Sequence, residues 1–391
     1  MRFKVRPEDF IVEEHLKLPF ARSGAFNLYR VEKRGVTTLE VQARLAAALC
    51  VPRSAVAFPA LKDKDALATQ YASVKDGGPR HVEGPGFAAK LIGRCARPLR
   101  PSDLKGNRFT VTLCDLAPQE AAHIEEGLAQ VGRFGVPNYF DEQRFGSRTA
   151  SGDFIGERIL RRDAEGALRA YLAEPLAGDP PDILAFKGFA REHWGEWGAL
   201  FERAPKPSNL RSVLTFLKDH PTDYRAALNL IPQRLLSLFL VAYQGFLWNQ
   251  IAGLYLRSKL EGAGRSFYYL EVAGVKLPIH YELPDSLSQM SIPLPHLHAA
   301  FGDPELAAAA KEVLREEGLD WSDLKARILR KAYLSKGKRD LLAFPQGATL
   351  LEAAEDELFP GRHKLTLAFS LLPGSYATLV LKALASQLPS A

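Results

Sequence analysis

Val56-Ala57-Phe58-Pro59-Ala60-Leu61-Lys62-Asp63-Lys64-Asp65-Ala66-Leu67-Ala68-Thr69-Gln70-Tyr71 sets four charged residues between two apolar runs that read as strands. The chain leaves a core, presents Lys-Asp-Lys-Asp, and goes back in. Taken alone this is an ordinary polar turn, since Asp and Lys are common turn residues. A carboxylate at the mouth of a strand and flanked by lysines is also a group that can be held ionised and aimed at a substrate. Which reading applies depends on what surrounds it.

On either side of that stretch the chain alternates strand and helix signals. Phe10 and Val12 alternate with Ile11 and Glu13 as in a strand. Phe26 to Val31 reads as another strand. Thr37-Thr38-Leu39-Glu40 is a capping box that opens a helix with Val41, Leu45 and Leu49 on its apolar face. Val51-Pro52 closes that helix. Gly106-Asn107-Arg108 leads into the period-two strand Phe109 to Leu113, and Pro118 starts a helix carrying Ala121, Ile124, Leu128 and Val131. From about 156 to 258 the pattern is mostly helical, with Leu235, Leu238, Ala242, Gly245, Asn249, Ala252 and Leu256 near one face of a long helix. A strand-rich piece follows from Phe267 to Leu283, then two helices near 303–317 and 320–333. Strands return around 341–352 and 364–370, and Ser375 caps a last helix reaching about Leu388. Both ends thus read as mixed sheet with helices and the middle as a more helical unit. An inserted domain and two sequential domains both fit this pattern.

Composition narrows the function classes. A chain of 391 residues predicts two domains of ordinary size. The formal net charge of +6 favours a polyanionic partner, while the 45 acidic residues confine any basic surface to a patch. Cys50, Cys95 and Cys114 form no C-x-x-C pair, which argues against a disulfide framework and a cysteine zinc site. His296 and His298 read as a solvated loop rather than as metal ligands. Met1 to Pro7 has no signal-peptide core, and the apolar stretch Leu235 to Trp248, broken by Ser237, Gln244 and Gly245, reads as too short for a span of about 20 apolar residues. A soluble, cytoplasmic protein is expected.

Six stretches carry unusual chemistry: Pro7-Glu-Asp-Phe-x-Val-Glu13, Leu61-Lys-Asp-Lys-x-Ala66, Gly106-Asn-x-Phe-x-Val111, Val136-Pro-Asn-Tyr-Phe-x-x-Gln-Arg-Phe-Gly146, Leu247-Trp-Asn-Gln250 and Pro373-Gly-Ser-Tyr-Ala-Thr378. In this order, over nearly the whole chain, the set resembles the TruD family of tRNA pseudouridine synthases. The resemblance implies an α+β fold: a discontinuous catalytic domain with a mixed, mainly antiparallel sheet over 1–140 and 344–391, and an inserted TRUD-type α/β domain over 141–343. It implies conversion of uridine to its C-glycoside isomer in tRNA, at uridine-13 of the D arm in bacterial members, without cofactor or metal. A monomer is the default expectation. A non-catalytic tRNA-binding or tRNA-folding protein on the same scaffold is the alternative.

The resemblance assigns the catalytic carboxylate to Asp63 and its cation to Lys4, with Lys62 or Lys64 as local alternatives. A flipped-out base needs stacking partners and an amide at its edge; Phe109, Phe369 and Phe10 match the rings, and Asn107 matches the amide. Gln70 fits a supporting position, and Asp65 reads as a solvated turn charge. Arg94, Arg97, Arg100, Lys105 and Arg108 are the candidate phosphate contacts. Arg144 with Gln143, and Lys336, Lys338 and Arg339, are candidates for RNA contact, with structural bracing equally open for Arg144 and Gln143. Ala60 and Asp141 stand where the family often has glycine, which bears on loop geometry and not on a catalytic group.

Overall fold

A computed structural model describes residues 1–21, 23–75, 78–279 and 285–386. The chain divides into two compact units, one made of Met1–Val136 and Ala343–Ala391, the other of Pro137–Leu342. The chain therefore crosses between them at 136/137 and 342/343, where the sequence reading put 140/141 and 343/344.

The first unit is built on a nine-stranded sheet. Its strands are β1 (Phe10–Leu16), β2 (Phe26–Lys33), β3 (Val56–Ala57), β4 (Leu67–Lys75), β5 (His81–Gly84), β6 (Phe87–Cys95), β7 (Leu104–Leu116) and the two strands Gln346–Glu355 and His363–Leu371. From one edge the order is 346–355, 363–371, β7, β1, β4, β2, β6, β5, with β3 added on β4. All described pairings are antiparallel except β1 with β4. The fold is thus α+β with a mixed, mainly antiparallel sheet. Helix α1 (Thr38–Ala48) starts at the expected capping box, with the Thr37 side chain accepting from the Glu40 N–H. Its Val41 and Leu45 pack with Tyr29, Val31, Ala72, Val74 and Ala89 of the sheet. Helix α2 (Pro118–Phe134) carries Pro118 in its first turn and buries Ala121, Ile124, Leu128 and Val131.

Register decides what faces what. In a strand, alternate residues share a face. Phe369, Phe109, Val12, Ala68 and Lys33 stand opposite one another across five strands. The next row of the same face holds Leu371, Asn107 and Glu14.

The second unit is mainly helical. Its longest helix, Gln233–Gly262, has 30 residues. This corrects the reading of 235–248 as too short for a span: by length and composition the helix is long enough to cross a membrane. It serves instead as a core helix, since 67% of its most apolar window is buried. Leu238, placed on its apolar face by spacing, is 48% exposed, while Leu236, Phe239 and Leu240 are buried. The strand-rich piece forms a hairpin that pairs Tyr268–Val272 with Val275–Ile279; its expected end at Leu283 lies outside the described residues. Pro304–Glu316 is helical as expected. The helix expected over 320–333 is not there. The chain makes a short 3-10 turn, Trp321–Lys325, which ends at Ala326 in the left-handed region at φ 50°. Leu324 is buried from that turn, and Ile328, Leu329 and Ala332 are buried one by one from the irregular backbone after it. The last helix begins at Ala377, two residues beyond Ser375, and its expected end at Leu388 lies outside the described residues.

Helix Ile155–Leu160 crosses the long helix so closely that a Cβ on Gly156 would collide with the Phe239 carbonyl oxygen. A Cβ on Gly188, in helix Pro181–Glu192, meets nothing within 4 Å. Gly156→Ala is therefore expected to cost about 1–3 kcal/mol, and Gly188→Ala to add about 0.5–1 kcal/mol. Urea unfolding of the two variants beside the parent measures both; equal effects would contradict the packing described.

Candidate active site

The turn after β3 brings Asp63 to the surface with its side chain 39% exposed. The Lys4 ammonium lies 2.9 Å from Asp63 Oδ2. It also sits 4.4 Å from the centre of the Phe10 ring, a cation–π contact. Lys4, the cation that the family resemblance assigned, thus reaches the Asp63 carboxylate. The local alternative does not apply to Lys62. Lys62 turns inward and donates to Asn107 Oδ1 at 2.6 Å while pairing with Glu14 at 3.1 Å. Lys64 and Asp65 are exposed.

Beneath Lys4 the three expected rings meet. Phe10 and Phe109 are edge to face with centroids 6.0 Å apart, and Phe109 and Phe369 lie 5.7 Å apart. They are exposed by only 4%, 7% and 1%, so they form a packed apolar floor. Gln70 is fully buried. It donates to the Ala60 carbonyl at 3.0 Å and accepts from the Thr38 hydroxyl at 2.8 Å. Thr38 Oγ1 in turn accepts the Lys62 N–H at 2.9 Å, which ties the start of α1 to the Asp63 turn. Ala60 is outside the positive-φ region, and Asp141 is extended at φ −97°, so neither needs the conformation a glycine supplies.

A model of the family described as tRNA pseudouridine synthase D matches residues 1–262 and 280–384. The chain belongs to the tRNA pseudouridine synthase D family. It is 31% identical to a Methanocaldococcus jannaschii protein named "Probable tRNA pseudouridine synthase D 2", over 98% of this chain and 91% of that one. It is 27% identical to the tRNA pseudouridine synthase D of Aquifex aeolicus, over 98% of both chains. A solved structure carrying the family name, from Methanosarcina mazei, superposes with a TM-score of 0.69 at 25% identity, covering 99% of this chain and 93% of the other.

Two charged residues of this family member's site escaped the motif reading. Lys33 is 1% exposed, and its ammonium donates to the main-chain carbonyls of Asp63 and of Val36, the latter at 3.0 Å. Burial lowers it to about 8, against the pull of Asp63 and Asp65. Glu14 has a fully buried side chain that accepts from Lys62, from Gln70 at 3.4 Å and from the Tyr71 N–H at 3.2 Å. Burial pushes its carboxyl up against those three. Both carry a signal in the sequence: each is a charge at an inward-facing position of an alternating strand.

The expected RNA contacts separate into two groups. Arg94, Arg100, Lys105 and Arg108 are exposed. Arg108 alternates with Asn107 and Phe109 along β7 and so projects from the opposite face of the sheet. Arg97 is committed elsewhere: its guanidinium grips both carboxylate oxygens of Asp103 at 2.8 and 2.6 Å. In the second unit, Lys336 and Lys338 are exposed. Arg339 is half-buried. It donates to the carbonyls of Asn138 and Tyr139 and stacks 4.1 Å from the Phe140 ring centre. Arg144 lies over the same ring at 5.0 Å. Asn249 clamps the Phe140 backbone with two bonds of 2.7 and 2.8 Å, so the motifs at 138–146 and 247–250 meet in one structural core. Among the described residues no three His, Cys, Asp or Glu groups are clustered as for a metal.

Lys33 has a stability consequence. Because its folded value is depressed to about 8 from 10.5, the unfolded chain holds the proton more tightly between those values. Releasing it then favours folding, so this residue's contribution rises with pH through that window. The melting temperature of the parent relative to Lys33→Met is expected to increase from pH 8 to pH 10.5. A flat difference would show that Lys33 does not titrate there.

Proposed function

We propose that this chain converts uridine to pseudouridine in tRNA, at uridine-13 of the D arm, with Asp63 as the catalytic carboxylate. The single observation that supports this is the Asp63 carboxylate paired with Lys4 over an apolar floor of Phe10, Phe109 and Phe369. The reaction breaks the bond from N1 to C1′, turns the uracil and joins C5 to C1′; the C5 proton leaves and N1 gains one. An ionised carboxylate can trap the electron-poor C1′ as carboxylate nucleophiles do in glycosidases, or remove a ribose proton to the same end. Lys4, 2.9 Å from Asp63 Oδ2, supports either route by holding the carboxylate in place. The apolar rings give a flipped base a dry surface to rest against. Family membership supplies the substrate class, and the exposed Arg94, Arg100 and Lys105 offer charge for its phosphates.

The test is incubation with unmodified tRNA transcripts, followed by chemical labelling that maps pseudouridine by position. Asp63→Asn is expected to lower turnover by more than about a thousandfold. Its tRNA affinity should stay within a few-fold of the parent and weaken steeply with salt. Near-normal turnover in that variant would remove Asp63 from the mechanism. Binding by the parent without any product would favour a tRNA-binding protein on the same scaffold. Phe109→Ala is expected to slow turnover more than it weakens binding, and equal losses would count against a role as a base platform.

A further inference from the structure

The side-chain amide of Asn107 is held at one end. Lys62 Nζ lies 2.6 Å from Oδ1. An ammonium has three donors and no acceptor, so the atom it meets is the amide oxygen, and the amide cannot be turned end for end. Lys62 is itself fixed. Its side chain is 9% exposed and lies 3.1 Å from Glu14 Oε1, on a side chain with no exposure. Glu14 is anchored by Gln70 Nε2 and the Tyr71 N–H, and it stands directly opposite Asn107 in the β1–β7 ladder. The chain of bonds therefore starts in the sheet and ends at Asn107 Nδ2. Among the described residues no acceptor is bonded to that nitrogen.

We propose that Glu14 and Lys62 are positioning residues that present Asn107 as a hydrogen-bond donor, so that the site selects a base edge carrying a carbonyl oxygen. This rests on the uridine-isomerase reading. Uracil offers two carbonyl acceptors, O2 and O4, and one N3–H donor. A fixed Nδ2 pairs with a carbonyl. An amide of the reverse orientation would meet N3–H instead. Lys62 decides which of these edges the site reads, although it need not touch the base.

The test uses three variants and three tRNA transcripts carrying uridine, 2-thiouridine or 4-thiouridine at the target position. Sulfur is the weaker acceptor. The parent is expected to lose about tenfold or more in kcat/KM on one of the two thio transcripts, and Asn107→Ala, lacking the donor, is expected to show no such penalty. Lys62→Met frees the amide to turn and should shrink the penalty below about twofold, a change that loss of packing alone would not produce. Asn107→Asp keeps the shape, yet it points an acceptor at an acceptor and should lose more than about a hundredfold in turnover. Near-parental turnover by Asn107→Asp, or a parent indifferent to both sulfur substitutions, overturns the inference while leaving the isomerase reading intact. A parent that makes no pseudouridine on the uridine transcript overturns that reading and this inference with it.

Discussion

The ion pair between Lys62 and Glu14 is the constraint on which the candidate site depends. Both charges are out of water, with side chains 9% and 0% exposed. Desolvating each costs several kcal/mol, recovered only if every donor and acceptor finds a partner. The partners that offset this cost are specific: the Lys62 ammonium has Glu14 and Asn107, and Glu14 also has Gln70 and the Tyr71 N–H. Drawing Lys62 inward turns its neighbour Asp63 outward, where Lys4 meets it. Lys33, from below, holds the Asp63 main-chain carbonyl. Three lysines therefore locate one residue, but each does so differently: through the preceding side chain, through the main chain and through the carboxylate itself.

The sheet makes this possible by register. β1 pairs parallel with β4 and antiparallel with β7, and through these registers the inward residues of five strands fall into rows. One row supplies the rings Phe369 and Phe109 and ends at Lys33; the next supplies Asn107 and Glu14. A slip of one residue in β1 would exchange Glu14 for Glu13 or His15 and turn the whole set to the other face. The apolar row and the polar row thus depend on the same pairing, which is why a dry floor and a hydrogen-bonded network lie side by side.

Much of this was legible in the sequence, and the exceptions have physical causes. The capping box at Thr37 and the alternation of β7 are local signals, and local geometry obeyed them. The motif residues Lys4, Asp63, Phe10, Phe109, Phe369 and Asn107 do come together, although they are spread along the chain, because β1, β7 and 363–371 are neighbours. The segment 320–333 has helical apolar spacing, yet a left-handed Ala326 breaks it and its apolar residues find the core separately. Arg97 and Arg339 read as candidate RNA contacts because sequence displays a charge and not its acceptor. Asp103, six residues on, and the Asn138 carbonyl, some two hundred residues back, are visible only once the chain is folded.

Lys4 shows where local preference gives way. Its φ of 59° lies in the left-handed region that favours glycine, at a cost of roughly 1–2 kcal/mol for a residue with a Cβ. Of the five other described non-glycine residues with positive φ, Cys50 and Arg162 follow helix ends, Ala273 turns the hairpin, Ala326 ends the Trp321 turn and Asp115 lies near the end of β7. Lys4 ends nothing. Its backbone lies just ahead of β1, and the unfavourable conformation coincides with an ammonium aimed at Asp63 across the Phe10 ring. Glycine would relieve the strain and abolish the contact. That the chain keeps lysine in a conformation better suited to glycine is what a side chain retained for its charge, rather than for the stability of its backbone, requires.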